Sequence, residues 1–164
     1  MTEQIATEAQ LSAGELEQAA AGILGRMLFG FSRLDMELGL LFVWSDGGSR
    51  LEEITELVKD QSFFKKLDFL GELVDRKFAE NPKAKSAYSR WLRDADVART
   101  TRNQLVHGRW GVEASRQQIV NVIGLPTSPA QSSISYSLSS LEDVSNSIAD
   151  LQLGLQKLRK EWPL

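Results

Sequence analysis

N-P-K-A-K-S-A-Y-S-R-W-L-R-D-A-D-V-A-R-T-T-R-N-Q-L-V-H-G, Asn81 to Gly108, is the stretch that decides the fold. Asn81-Pro82 reads as a helix start. The asparagine side chain can accept a first-turn N–H, and proline suits the first helical position because it has no N–H to lose. Gly108 is well placed as the C-terminal cap. In between, Trp91, Ala95, Ala98, Leu105 and Val106 recur at helical spacing and form one apolar stripe.

The segments before it repeat the pattern. Ser12-Ala13-Gly14-Glu15 reads as a capping box, and a long apolar-periodic run follows to Trp44. Ser45-Asp46-Gly47-Gly48 is a turn. Ser49-Arg50-Leu51-Glu52 reads as a second capping box, opening a helix to about Glu80 with a break near Asp60 to Ser62. After Gly108 the period changes. Ile119 and Ile123 share one strand face, and Ile134, Tyr136 and Leu138 alternate with serines. L-P-T-S-P-A-Q-S between them is a loop, so the two runs predict a hairpin. Ser139-Ser140-Leu141-Glu142 offers a third capping box. It opens a last amphipathic helix carrying Leu141, Val144, Ile148, Leu151, Leu155 and Leu158. The expected fold class is mainly α: a helical bundle of four or five helices with a small β-hairpin inserted before the last. Residues 1–11 are expected to be a flexible N-terminal tail and residues 12–164 a single domain.

The bulk properties narrow the chemistry. A chain of 164 residues can bury roughly 70% of its unfolded surface without staples. It has no cysteine, which excludes disulfides, a thiol nucleophile and cysteine-based zinc sites. The polar, acidic opening M-T-E-Q-I-A-T-E-A-Q does not resemble a signal peptide, and no apolar run reaches a membrane span. A cytoplasmic protein without membrane contact is expected. There is no Gly-rich phosphate loop, no G-x-S-x-G, and no His or Cys pair for a transition metal. No cofactor and no metal are called for. Trp44, Trp91, Trp110 and Trp162 sit mostly at element ends, where packing explains them better than base stacking does.

Net charge is −3, but its distribution is uneven. Residues 1–75 carry 6 basic and 14 acidic side chains, residues 76–116 carry 10 and 4, and residues 117–164 carry 3 and 4. The one basic block contains Asn81 to Gly108. Such a block fits either pairing with acidic helices or a small anionic site.

Two charges stand where the pattern wants apolar groups. On a helical wheel Arg102 falls in the middle of the stripe formed by Trp91, Ala95, Ala98, Leu105 and Val106. An arginine there needs a carboxylate, or it must open onto a cleft where a phosphate can bind, because burying a lone charge is very costly. On the first helix Asp35 falls in the centre of a stripe of Leu24, Leu28, Phe31, Leu38 and Phe42. The simplest expectation is a buried Asp35–Arg102 pair that fixes helix register. Arg99, Asn103 and His107, the only histidine, form an i, i+4, i+8 row along one edge of the same stripe. Imidazoles titrate near neutral pH and suit proton transfer.

Arg102-Asn103-Gln104-Leu105-Val106-His107 resembles the R-N-x-x-x-H form of the motif that marks HEPN domains. Its place at the end of a long helix in a small bundle is similar too. Asp35 resembles the acidic position on the first helix of some such proteins. The continuation His107-Gly108-Arg109-Trp110, two strands and a final helix resembles a group of small bacterial HEPN-like proteins. The likeness in layout runs from Ala13 to the C-terminus.

The resemblance implies a metal-independent endoribonuclease acting as a homodimer on an RNA substrate. His107 would take a proton from a ribose 2′-OH or deliver one to the leaving 5′-oxygen. Arg102 would stabilise charge on the phosphorane-like transition state. Asn103 would orient the histidine or the scissile phosphate, and Arg99 and Arg109 would hold flanking phosphates. One histidine per chain does not readily serve as both acid and base, whereas a dimer supplies two. The family also implies an alternative. Some members are non-catalytic dimerisation or interaction modules, or toxin–antitoxin components paired with an antitoxin or a nucleotidyltransferase. Asp35, Arg102 and His107 would then form a buried polar network.

Overall fold

The computed structural model describes residues 10–164. Five α-helices and a three-stranded sheet follow one another: α1 (Ala13–Val43), α2 (Leu51–Val58), α3 (Phe63–Lys77), α4 (Pro82–His107), β1 (Arg109–Glu113), β2 (Gln118–Ile123), β3 (Ser132–Tyr136) and α5 (Leu138–Glu161). The class is the expected one, a mainly helical bundle with a small antiparallel sheet before the last helix. Of the expected tail, residues 1–9 lie outside the described residues. Leu11 is tied down: its N–H donates to Gln117 Oε1 and its carbonyl accepts from Gln117 Nε2, both at 2.9 Å.

Local chemistry explains most element ends. The Ser12 hydroxyl accepts the Glu15 N–H, and the Glu15 carboxylate accepts the Ser12 N–H at 2.8 Å, a closed capping box. The box at Ser49 does not form. Arg50 stands at the N-cap of α2 without a side-chain bond, its guanidinium turned back to Asp46 at 3.1 Å. The break expected near Asp60 to Ser62 is complete, because Ser62 caps a new helix by accepting the Lys65 N–H. Asn81 Oδ1 accepts the Ala84 N–H at 3.1 Å, with Pro82 behind it. The third box also shifts. Ser137, not Ser139, caps α5 by accepting the Ser140 N–H at 3.1 Å. Leu138 therefore belongs to the helix, and Glu142 is free to pair with Arg26 at 2.7 Å.

The long helices pack side by side. Arg26–Glu142 and Glu37–Gln152 advance together, so α1 and α5 run in the same direction. Tyr88 donates to the Trp162 carbonyl and Trp91 Nε1 to the Leu151 carbonyl, so α4 runs against α5. Burial pushes the Tyr88 hydroxyl up to about 12. Lys85–Asp75 and the Arg99–Phe64 contact set α3 against α4 in the same antiparallel sense. The core runs through Met27, Leu34, Leu38, Leu70, Tyr88, Ala95, Leu105, Ile148 and Leu155. Among the described residues no helix is long and apolar enough to cross a membrane.

The apolar face of α1 differs from the expected stripe. The buried row is Leu16, Ala20, Ile23, Met27, Phe31, Leu34, Leu38 and Leu41, and Leu28 is exposed. Asp35 consequently lies at the margin of the core face and not at its centre. The reason is that α1 is apolar on its outer side as well, at Phe29, Met36 and Leu40. A wheel cannot choose between two apolar faces.

The sheet has one strand more than the expected hairpin. β2 pairs antiparallel with β3, Asn121 opposite Ile134, and with β1, Asn121 opposite Trp110. Ile119 and Asn121 are its buried side chains. Asn121 lies directly against Gly108, the first residue beyond α4. Gly108 has ordinary extended backbone angles, so its glycine is needed for space: a Cβ would run into the Asn121 amide. Overpacking of this kind costs about 1–3 kcal/mol. We therefore expect Gly108→Ala to lose that much stability in a denaturant titration. Asn121→Ala should recover part of the loss when combined with it. Equal stability of Gly108→Ala and wild type would contradict the contact.

Candidate site at the end of helix α4

Arg102 follows the buried row of α4, between Ala98 and Leu105, and is itself half-buried. Its guanidinium lies over the Phe31 ring of α1, 5.1 Å from the centroid. Nη1 donates to Asn103 Oδ1 at 3.0 Å. Nε is buried without a hydrogen-bond partner. Among the described residues Arg102 makes no ion pair with a carboxylate.

The expected Asp35–Arg102 pair does not form. Asp35 is taken by Lys66 of α3, with Nζ to Oδ1 at 2.8 Å. The reason is a difference between two cations. The Lys66 side chain is only 8% exposed, and a compact, strongly hydrated ammonium cannot be stripped of water without a carboxylate. A guanidinium is more weakly hydrated and can rest on an aromatic face. The one acid at this edge of α1 therefore goes to the cation that needs it more.

His107 is the last residue of α4 and is exposed. Among the described residues its ring has no hydrogen-bond partner. The Gly108 N–H closes onto the Gln104 carbonyl, and Trp110 Nε1 donates to the Leu105 carbonyl at 3.0 Å. These bonds and the Asn121 contact fix the turn that carries the imidazole. Asn103 spends its carbonyl on Arg102 and makes no bond to His107. Asp35, Arg102 and His107 thus share no network within the chain.

The flanking arginines divide. Arg99 Nε donates to Asp96 Oδ1 at 2.8 Å, and its guanidinium lies over the Phe64 ring at 5.2 Å. Arg109, at the start of β1, is exposed, with Nη2 placed 3.4 Å from the Gly124 carbonyl. Arg99, Asn103 and His107 do form a row on α4, with Arg102 beside it on the core side. The structure adds Phe64, Lys66 and Asn121 to the site and gives Phe31, a stripe residue of α1, the role of holding Arg102. Lys66 was open to detection, because it sits in the apolar row Phe63, Lys66, Leu67, Leu70 and Val74 of α3.

What the geometry offers is a guanidinium without a counter-ion, held by Phe31 and Asn103, and an unpartnered imidazole five residues further along the same helix. No family model matches this chain, and neither a curated protein nor a solved structure matches it.

The Asp35–Lys66 assignment has its own test. Removing one partner of a buried pair costs ~3–5 kcal/mol, and the exposure of Asp35 reduces that here. Asp35→Ala should therefore cost about 2 kcal/mol. Lys66→Met should restore most of it in the double variant, whereas Arg102→Met should not. Rescue by Arg102→Met instead would mean that Asp35 serves Arg102.

Proposed function

We propose that this chain is a HEPN-type, metal-independent endoribonuclease, located in the cytoplasm and working as a homodimer with a composite site. The observation that carries the reading is Arg102: a cation held by Phe31 and Asn103, paired with no carboxylate, on the same helix as the exposed His107. A guanidinium set in place before the substrate arrives costs no reorganisation when charge develops on phosphate oxygens.

The chemistry follows from the two groups. A ribose 2′-oxygen attacks the adjacent phosphorus while the bond from phosphorus to the 5′-oxygen breaks. The 2′-OH proton passes to a neutral His107 imidazole, and a second, protonated imidazole delivers a proton to the leaving 5′-oxygen. The products end in a 2′,3′-cyclic phosphate and a 5′-hydroxyl. With one histidine per chain, the second imidazole is assigned to a second copy. Arg102 binds the non-bridging oxygens of the phosphorane-like intermediate through the edge that Asn103 leaves free. Arg109 meets a neighbouring phosphate and reads no base.

A second reading is a HEPN-like interaction module or toxin–antitoxin component, covered by an antitoxin or a nucleotidyltransferase. It is favoured by Val106, which is 42% exposed beside His107. The two readings separate in one experiment. Wild type and His107→Ala are incubated with a mixed RNA pool in EDTA and the product ends are analysed. Cyclic-phosphate ends from wild type are expected, with the rate reduced by about 10²–10⁴ in His107→Ala and by about 10²–10³ in Arg102→Ala. Undiminished cleavage by a folded His107→Ala protein would overturn the nuclease reading. Absence of cleavage by pure wild type would favour the interaction module.

A further inference from the structure

Arg99 is poorly suited to clamp a phosphate. Its charge is compensated by Asp96 at 2.8 Å, and Nη2 is turned toward the Thr100 hydroxyl at 3.5 Å. The Thr100 hydroxyl in turn donates to the Asp96 carbonyl at 3.0 Å. These contacts hold the guanidinium in place. Its Cζ lies 5.2 Å from the centroid of the Phe64 ring; Phe64 is 45% exposed, and the Arg99 side chain is itself 27% exposed. A flat cation fixed on an aromatic ring, with open surface left over and its net charge cancelled, is a stacking surface.

Its position relative to His107 matters. Arg99 is eight residues before His107 on the same row of α4, about 12 Å of axial rise at 1.5 Å per residue, or the reach of about two nucleotides of extended strand. Beside it, Phe64 and Asp96 border an open groove of about 500 Å³ between α3 and α4, with Leu67, Leu92 and Arg93 on its walls. The groove has room for a base. The Asp96 carboxylate at its edge disfavours a phosphate there.

We infer that the site takes single-stranded RNA, and that Phe64 and Arg99 form the platform on which a base about two nucleotides from the scissile phosphate stacks. This rests on the ribonuclease reading for the place of the scissile phosphate. A duplex cannot use such a platform, because its bases are already stacked on one another. Stacking is tolerant of base identity, so the platform orients the strand without selecting a sequence.

The test is a binding measurement, separate from cleavage. A fluorescently labelled single-stranded oligoribonucleotide of mixed sequence, and the same strand in a duplex, are titrated with His107→Ala protein and followed by anisotropy. The single strand should bind about tenfold more tightly than the duplex. Phe64→Leu in that background should weaken single-strand binding about tenfold and leave the thermal melt and the salt dependence unchanged. Phe64→Trp should bind as the parent does. Equal binding by Phe64→Leu and its parent, equal binding of duplex and single strand, or no binding at all would overturn the platform. The two readings fail separately. Phe64-dependent binding by a wild type that does not cleave would sink the nuclease and leave the platform. Cleavage with Phe64-independent binding would do the reverse.

Discussion

The pairing of Asp35 with Lys66 governs the rest of the site. Three charges, Asp35, Lys66 and Arg102, stand on or beside the inner faces of α1, α3 and α4, and only two of them neutralise each other. A buried, strongly hydrated ammonium gains most from a carboxylate, whereas a guanidinium can be held by an aromatic face and a side-chain carbonyl. The acid goes to Lys66 and the bundle closes around that pair. Arg102 remains without a carboxylate partner, held over the Phe31 ring. An Asp35–Arg102 pair would instead have left the Lys66 ammonium buried without a carboxylate.

The small sheet serves the same end of the molecule. It seats the last turn of α4: Asn121 fills the space beneath Gly108, and Trp110 holds the Leu105 carbonyl. The imidazole of His107 therefore projects from a fixed turn and not from a fraying helix end. The chain thus places a cation and an imidazole on one helix and supports the Arg102 side chain and the His107 backbone from different sides. Arg102 rests on α1, and the His107 turn rests on β1 and β2. Side chains placed on regular elements keep their geometry better than those on loops do.

Much of this was legible in the sequence. Asn81-Pro82 and Gly108 bound α4 where expected, and the Ser12 box starts α1 where expected. The serine-alternating run became β3. Arg102 was recognised as a charge on a core face, which the structure bears out. Its partner was misjudged for two reasons. The outer side of α1 also carries large apolar residues, Leu28, Phe29, Met36 and Leu40, so a wheel centres Asp35 wrongly. Lys66 was not placed on its own helix face, although it sits there as plainly as Arg102 does. Strand β1 was invisible because R-W-G-V-E has only two inward apolar residues and a glycine between them. The two cation–π contacts link residues some 35 to 70 positions apart, and no local pattern reports such pairs.

The central claim is that Arg102 and His107 together form an anion site. A chain with one histidine allows a direct measurement, because its imidazole gives a single set of NMR signals. Titration with a 3′-nucleotide should shift the His107 ring signals and the Arg102 Nε–H signal together, with one apparent affinity, and Arg102→Met should abolish both responses. Signals of His107 and Arg102 that stay in place through millimolar nucleotide, or a His107 response that survives in Arg102→Met, would contradict the account.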